Sequence, residues 1–371
     1  MTKERIGILT GGGDCAGLNP AIKWAVKTAM DKRLESERGV QYEVIGIKNG
    51  WNGLMFEDGV DPKAGDYITD LDEQIVRTWD RYGGTMLGTS RTNPYNPKND
   101  RSRLVLENIE KLKLDALIAI GGDDTLGVAD RVTREGVNVV GIPKTIDKDM
   151  VETEYTLGFE TAVNVITEEV DRLRTTAGSH RRIFVVETMG RHTGWLALEG
   201  GESCGAYIIL IPECDFSIKK VNDLLLEGRK AGNRYEILLV AEGAKPSGGT
   251  EFVRQDGVDA FGHKMLGGIG EFLAGEINKG TGVETRSVVL SHLQRGGAPC
   301  AYDRRMGRYF GIAAVDLIVT RDFGKMVCFR DGEITSCPLD QVVGRTNYVD
   351  VDKNYDVERY SGRRTIFRYR E

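Results

Sequence analysis

No run in this sequence approaches the roughly 20 consecutive apolar residues that a bilayer-spanning helix needs, so an integral helical membrane protein is excluded. Positive charge is also outnumbered. The 371 residues carry a net charge of -6, which argues against nucleic-acid or membrane-surface partners and requires any anion site to be basic only locally. Cysteine offers no metal framework, since Cys15, Cys204, Cys214, Cys300, Cys328 and Cys337 show no paired ligand spacing. The opening MTKERIGILT enters a strand-like pattern without a signal or transit segment, and a cytoplasmic protein with reduced thiols is expected. Proline is sparse, 9 residues against 47 glycines. With 40% hydrophobic and 29% charged residues, disordered and collagen-like classes are excluded.

What is present is an alternation of short apolar runs and amphipathic segments. RIGIL precedes NPAIKWAVKTAM, DALIAI precedes TLGVADRVTREG, and RIFVV precedes GWLALEGG. YEILLV then FGHKMLGGIGEFLAGEI, and RSVVL then RRMGRYFGIAAVDLIV, repeat the pattern. This predicts an α/β fold with largely parallel sheets, whose ligands bind beyond the carboxyl ends of the strands, where the glycine-rich turns fall. The acidic, glycine-rich turn occurs twice, as TGGGDC and GGDDT, and suggests two similar Rossmann-like lobes. KPSGGTEFVRQDG reads as an exposed loop and KNYDVERYSGRRTIFRYRE as a polar tail.

Several of the turns carry possible chemistry. In TGGGDCAGLNP the glycines at 11, 12 and 13 let backbone N–H groups approach a phosphate, and the next helix adds its dipole. The turn lacks both GxGxxG and a GKS/T ending, so a dinucleotide site and a P-loop fit poorly. GIPKTIDKD places Asp147 and Asp149 two residues apart, suited to a base and a metal, although an Asx turn or helix cap would read the same way. ETMGRHTGW and SHLQRGGAP each put an arginine beside glycine at a strand end, where its planar fork suits phosphate; a structural arginine would instead pair with a neighbouring glutamate.

In order, TGGGD, GTSR, GGDDT, PKTIDKD, SHRR, MGRHTGW, AEG and SHLQRGGAP resemble the phosphofructokinase family from residue 5 to about 310. The resemblance implies two lobes with the active site in the cleft between them. We expect a phosphate-donor lobe over 1–158 with a return segment near 294–345, and a sugar-phosphate lobe over 159–293 with a tail near 346–371. It implies that Gly13, Arg91, Gly122, Asp123 and Thr125 bind the donor, with Asp123 holding Mg²⁺. Asp147 is implied as the base acting on the sugar 1-hydroxyl, and Arg191 as a catalytic partner. Thr145, Ile146, Met189, Gly190, Arg191 and Glu242 would line the fructose 6-phosphate path. His292, Leu293, Gln294 and Arg295 would clamp its 6-phosphate. Arg182 and Arg286 match arginines that reach in from an adjacent subunit, implying a homodimer or homotetramer with shared sites.

In the ATP-dependent members the positions of Asp124 and Lys144 are glycines. Asp124 would fill and repel the space of a nucleotide α-phosphate; at about 4 Å and an effective dielectric near 20 the repulsion is roughly 4 kcal/mol. Lys144 would neutralise a leaving phosphate, so the pair matches the pyrophosphate-dependent branch. A plain helix cap would account for Asp124 but not for Lys144. Lys148 stands where asparagine is usual and Ala16 where proline is usual, and Lys148 is expected beside the base, bearing on its pKa or on the metal. Lys23 and Lys27 fall where allosteric arginines lie in regulated relatives, or form a solvated helix face. The alternatives are an ATP-dependent phosphofructokinase, a kinase of a related sugar phosphate, and a non-catalytic regulatory subunit.

Overall fold

The computed structural model describes residues 2–258 and 264–365. Two parallel sheets dominate it. The first contains β1 (Thr2–Thr10), β2 (Val40–Ile47), β3 (Ile68–Leu71), β4 (Ala116–Gly121) and β5 (Val139–Pro143). The second contains β6 (Ile183–Thr188), β7 (Ile208–Leu210), β8 (Glu236–Ala241) and, after a small ribbon of β9 (Val253–Val258) and β10 (Lys264–Leu266), β11 (Thr285–Val289). The chain then returns to the first sheet with β12 (Lys325–Arg330) and β13 (Glu333–Pro338). The strand orders are β13-β12-β5-β4-β1-β2-β3 and β11-β6-β8-β7. Within these two sheets, among the described residues, only β3 and β13, at the two edges of the first, run antiparallel to their neighbours.

Helices cover both faces of each sheet, which is why the strands read as continuous apolar runs rather than alternating ones. Ile118 and Ile120 of β4 face a core shared with α1 (Leu18–Ala29), while Leu117 and Ala119 face one built with α3 (Ser102–Lys111) and α4 (Asp123–Arg134); α2 (Lys32–Arg38) is an exposed turn of helix between α1 and β2. The core around α1 continues through α5 (Phe159–His180) to Phe184 and Val186 of β6. Behind the second sheet, α6 (Trp195–Ser203), α7 (Ile218–Lys230) and α8 (Ile269–Thr281) close a third core. α9 (Ala301–Val319) packs on α1, and its wholly buried Asp303 joins the two halves. The carboxylate accepts from Tyr155 Oη at 2.7 Å, Gly158 N at 2.6 Å, and both Thr161 N and Oγ1 at 2.9 and 2.5 Å.

Three expectations change. Part of the segment read as a loop is the strand β9, paired antiparallel with β10. A two-stranded ribbon satisfies its backbone by pairing alone, so there is no apolar alternation to read. The helix expected from Phe261 begins only at Ile269, because Gly267 and Gly268 hold φ of 136° and 102° and cannot continue a helix; Phe261 and His263 lie outside the described residues. The polar tail docks through α10 (Val351–Asn354), β14 (Tyr355–Asp356) and β15 (Ser361–Gly362). Its Tyr355 hydroxyl donates to Ile209 O at 2.5 Å and its Tyr360 O accepts from Ile209 N at 2.7 Å, extending the edge at β7; residues 366–371 lie outside the described part. No helix among the described residues is long and apolar enough to cross a membrane.

Candidate active site

The first sheet has its topological switch point between β1 and β4, where the chain leaves toward β2 on one side and β5 on the other. The TGGGDC and GGDDT turns therefore lie side by side. Thr125 is wedged between them: a Cβ on Gly121 would lie 2.3 Å from Thr125 Cβ, and one on Gly11 would lie 2.5 Å from Thr125 Oγ1. Both glycines are required by that approach. α4 starts at Asp123, the preceding Gly122 supplies no side-chain cap, and Asp124 occupies the second helical position. Asp124 is thus not the cap; both carboxylates sit in the first turn, where the helix dipole favours negative charge.

The turns enclose a pocket of about 140 Å³ that reaches from Gly12 and Gly13 to Arg191 across the cleft. Arg91, Gly122, Asp123, Asp124 and Thr125 line its donor side, as expected from the sequence. Lys144, directly after β5, is 3% exposed and donates from Nζ to Gly13 O at 2.5 Å. Burial is the main cause that lowers its pKa to about 8, and nearby Arg295 pushes the same way. A lysine of that pKa is mostly charged at neutral pH and faces the space an anion would take.

Asp147 and Asp149 also line the pocket, with Thr145. Asp147 is 4% exposed; its N donates to Thr145 Oγ1 at 3.1 Å, its Oδ2 lies 3.4 Å from the same hydroxyl, and its buried Oδ1 has no hydrogen-bond partner among the described residues. Burial, and then the charge of Asp147, raises the pKa of Asp149. Two buried carboxyls one residue apart, with Arg191 and the Thr145 hydroxyl acting on Asp149, suit a proton acceptor and a cation. Lys148 does not stand beside them. Its backbone is left-handed, at φ 55°, a conformation asparagine adopts more readily than most residues. This turns the side chain outward, where Nζ pairs with Glu199 at 2.6 Å and lies 4.9 and 4.8 Å from the ring centroids of Phe159 and Trp195. Its charge is spent away from the pocket.

On the far side, the carboxyl end of β6 leads into Met189, Gly190 and Arg191. Gly190 has φ 136° and Arg191 φ 52°, and Arg191 N donates to Glu242 Oε1 at 3.0 Å. Burial raises the pKa of Glu242, at the end of β8, to about 7. Thr193 Oγ1 donates to Asp147 O at 3.2 Å, so the second lobe grips the loop that carries Asp147.

Other expected site residues lie elsewhere. Ile146 is wholly buried in the core and is not part of this pocket's lining. After β11 the SHLQR stretch folds as a single 3-10 turn that leaves His292 and Leu293 exposed and turns Gln294 and Arg295 inward. Arg295 lies against the donor turn, with Nη1 donating to Asp14 O at 3.1 Å and standing 2.5 Å from where a Cβ on Gly13 would be. Arg182 and Arg286 both pair with Glu284, at 2.8 and 2.7 Å, by the amino ends of β6 and β11. With a strand rise of about 3.3 Å per residue, they sit a strand's length from the carboxyl ends that form the pocket. Lys23 is tied to Asp80 at 2.7 Å, and Lys27 lies over Trp24. Sequence reasoning missed His192, Thr193, Arg345, Thr346 and Tyr348, which also line the pocket. The last three come from a stretch with no motif.

Residues 5–318 match the family described as phosphofructokinase. The chain belongs to the phosphofructokinase family. It is 48% identical over 351 residues to a pyrophosphate–fructose 6-phosphate 1-phosphotransferase of Dictyoglomus thermophilum, covering 94% of this chain and 96% of that one. An ATP-dependent 6-phosphofructokinase of Streptomyces coelicolor is 42% identical over 339 residues, 91% of this chain and 94% of that one. Among solved structures, a pyrophosphate-dependent phosphofructokinase of Marinobacter aquaeolei superposes with a TM-score of 0.79 over 97% of this chain and 89% of the other; at 20% identity it bears on the fold alone.

Proposed function

We propose that this family member transfers a phosphoryl group from pyrophosphate to the 1-hydroxyl of fructose 6-phosphate, giving fructose 1,6-bisphosphate and phosphate, in either direction. The observation that carries the reading is that Asp124 and Lys144 line one pocket together with the glycine turn, an arrangement in which a diphosphate would meet the lysine and a nucleotide α-phosphate would meet a carboxylate. The higher identity to pyrophosphate-dependent than to ATP-dependent relatives points the same way.

In this reading Gly12 and Gly13 hold the donor, and Lys144 and Arg91 offset its charge. Asp147 takes the sugar hydroxyl proton through its unpartnered Oδ1, the hydroxyl oxygen bonds to the near phosphorus, and the bridging oxygen leaves on the second phosphate beside Lys144. Arg191, fixed by Glu242, bears on the charge of the group in transit. Among the described residues no cluster of three or more acidic, His or Cys side chains stands ready for a metal, so a magnesium ion would be held by Asp123 together with the donor's own oxygens, whose charge it would offset. Met189, Gly190 and Glu242 take the sugar. Arg182 and Arg286, held on Glu284 away from their own pocket, serve the site of a second copy, so the active form is a homo-oligomer in the cytoplasm. Steady-state assays of the purified protein with Mg²⁺ test the donor: kcat/KM is expected to be higher with pyrophosphate than with ATP, and the reverse order refutes the assignment.

A further inference from the structure

The segment 342–349 crosses from one lobe to the other. Val342 is buried in the core behind the first sheet and Val349 in the core behind the second. Between them several anchors are to the loops that carry the pocket residues. Gly344 N donates to Asp123 Oδ1 at 3.0 Å, and Asn347 makes three hydrogen bonds at once. Its N donates to Asp149 O at 2.8 Å, its Nδ2 donates to Lys148 O at 3.0 Å, and its O accepts from Trp195 Nε1 at 2.9 Å. Val349 N donates to Glu213 Oε1 at 2.9 Å, the oxygen that also accepts from Gly194 N at 3.0 Å. Held at these points, the segment presents Arg345, Thr346 and Tyr348 to the pocket.

We propose that residues 344–349 form a strap that selects the donor: Arg345 contacts the outer phosphate, and Tyr348 stands in the space a nucleoside would need. The proposal rests on the pyrophosphate reading for the donor's identity. The strap forms one wall of the pocket, where Arg345 and Tyr348 share the lining with Gly12, Arg91 and Asp124 of the donor side. Arg345 is oriented by Gln341 O at 2.8 Å and by Glu152 at 3.5 Å, and its side chain is 56% exposed, so it is steered without being neutralised in a buried pair. Tyr348 is 55% exposed, so nothing in the core depends on its ring. Asn347 is a positioning residue, acting through the Asp147–Asp149 loop and the strap itself.

The test separates donor from sugar. In Arg345→Ala, KM for pyrophosphate should rise about tenfold, as loss of a charge-assisted contact does, with KM for fructose 6-phosphate within about twofold of wild type; Arg345→Lys should restore part of the loss. In an Asp124→Gly background, adding Tyr348→Ala should raise the ATP-to-pyrophosphate ratio of kcat/KM by about a further tenfold. Both side chains are exposed, so thermal melting should move little. Equal shifts in both KM values, or a ratio that Tyr348→Ala leaves unchanged, overturns the proposal. A wild type that prefers ATP defeats the pyrophosphate reading instead; the strap is then judged by whether Tyr348→Ala lowers KM for ATP alone, and no change overturns it.

Discussion

Replacing Asp124 by glycine isolates the donor filter. The carboxylate sits at the second position of α4, lines the pocket, and is half-buried, so its repulsion of a phosphate is neither that of bulk water nor that of a sealed interior. At about 4 Å those limits run from about 1 kcal/mol in water to about 4 kcal/mol at an effective dielectric of 20. With about 1.4 kcal/mol per factor of ten, the ratio of kcat/KM for ATP to that for pyrophosphate should rise by about 5-fold to 10³-fold. The substitution also removes a dipole-favoured charge and puts glycine in a helix, costing about 1 kcal/mol of stability, which denaturant unfolding would register. Adding Lys144→Gly should raise the ratio further and non-additively, since both side chains address one ligand. Steady-state kinetics with both donors on wild type, each single variant and the double variant provide the measurement. An unchanged ratio in Asp124→Gly and in the double variant, with the stability loss present, would reduce Asp124 to a helix-terminus charge.

Asp147→Asn should lower kcat by about 10² to 10⁴-fold with little change in substrate affinity, and near-normal turnover removes it as the base. Lys144, with its pKa lowered to about 8, is charged below that pH and neutral above it, so kcat/KM for pyrophosphate should fall as pH rises through about 8; Lys144→Met should abolish that limb, and a limb that persists assigns it to another group. Mixed oligomers of Arg286→Ala and Asp147→Ala chains should regain activity that neither homo-oligomer has, because one interface can join an intact Asp147 to an intact Arg286; demonstrably mixed but inactive oligomers place the whole site in one chain. Asp303→Ala strands four buried donor bonds and should cost about 4 kcal/mol in denaturant unfolding, whereas a loss under about 1 kcal/mol means those donors find other partners.

Local order was the legible part. The strand-turn-helix units around TGGGDC and GGDDT were readable because a doubly covered parallel strand and its glycine turn need only neighbouring residues. The positions of Gly13, Asp123, Asp124, Lys144 and Asp147 around one pocket follow from that register. Side-chain direction was less readable. The left-handed backbone at Lys148 reverses where its charge goes, and the 3-10 turn after β11 separates His292 from Arg295, although each pair of residues is close in sequence. Arg345 and Tyr348 were invisible for a different reason: they reach the pocket from a stretch more than 190 positions beyond Lys148, set there by backbone hydrogen bonds that leave no signature in composition.

The insertion of β12 between β5 and β13 has a consequence for how the polypeptide is made. β5 emerges from the ribosome with one long edge bare, and the strand that covers it is encoded roughly 180 residues later, which at about 5–20 residues per second is a delay of about 10 to 40 s. For most of that interval α1 also waits for α9. The second sheet, drawn from one continuous stretch, has no such wait and completes first on the ribosome. The half that emerges first is therefore the half that matures last, with a parallel edge exposed during translation.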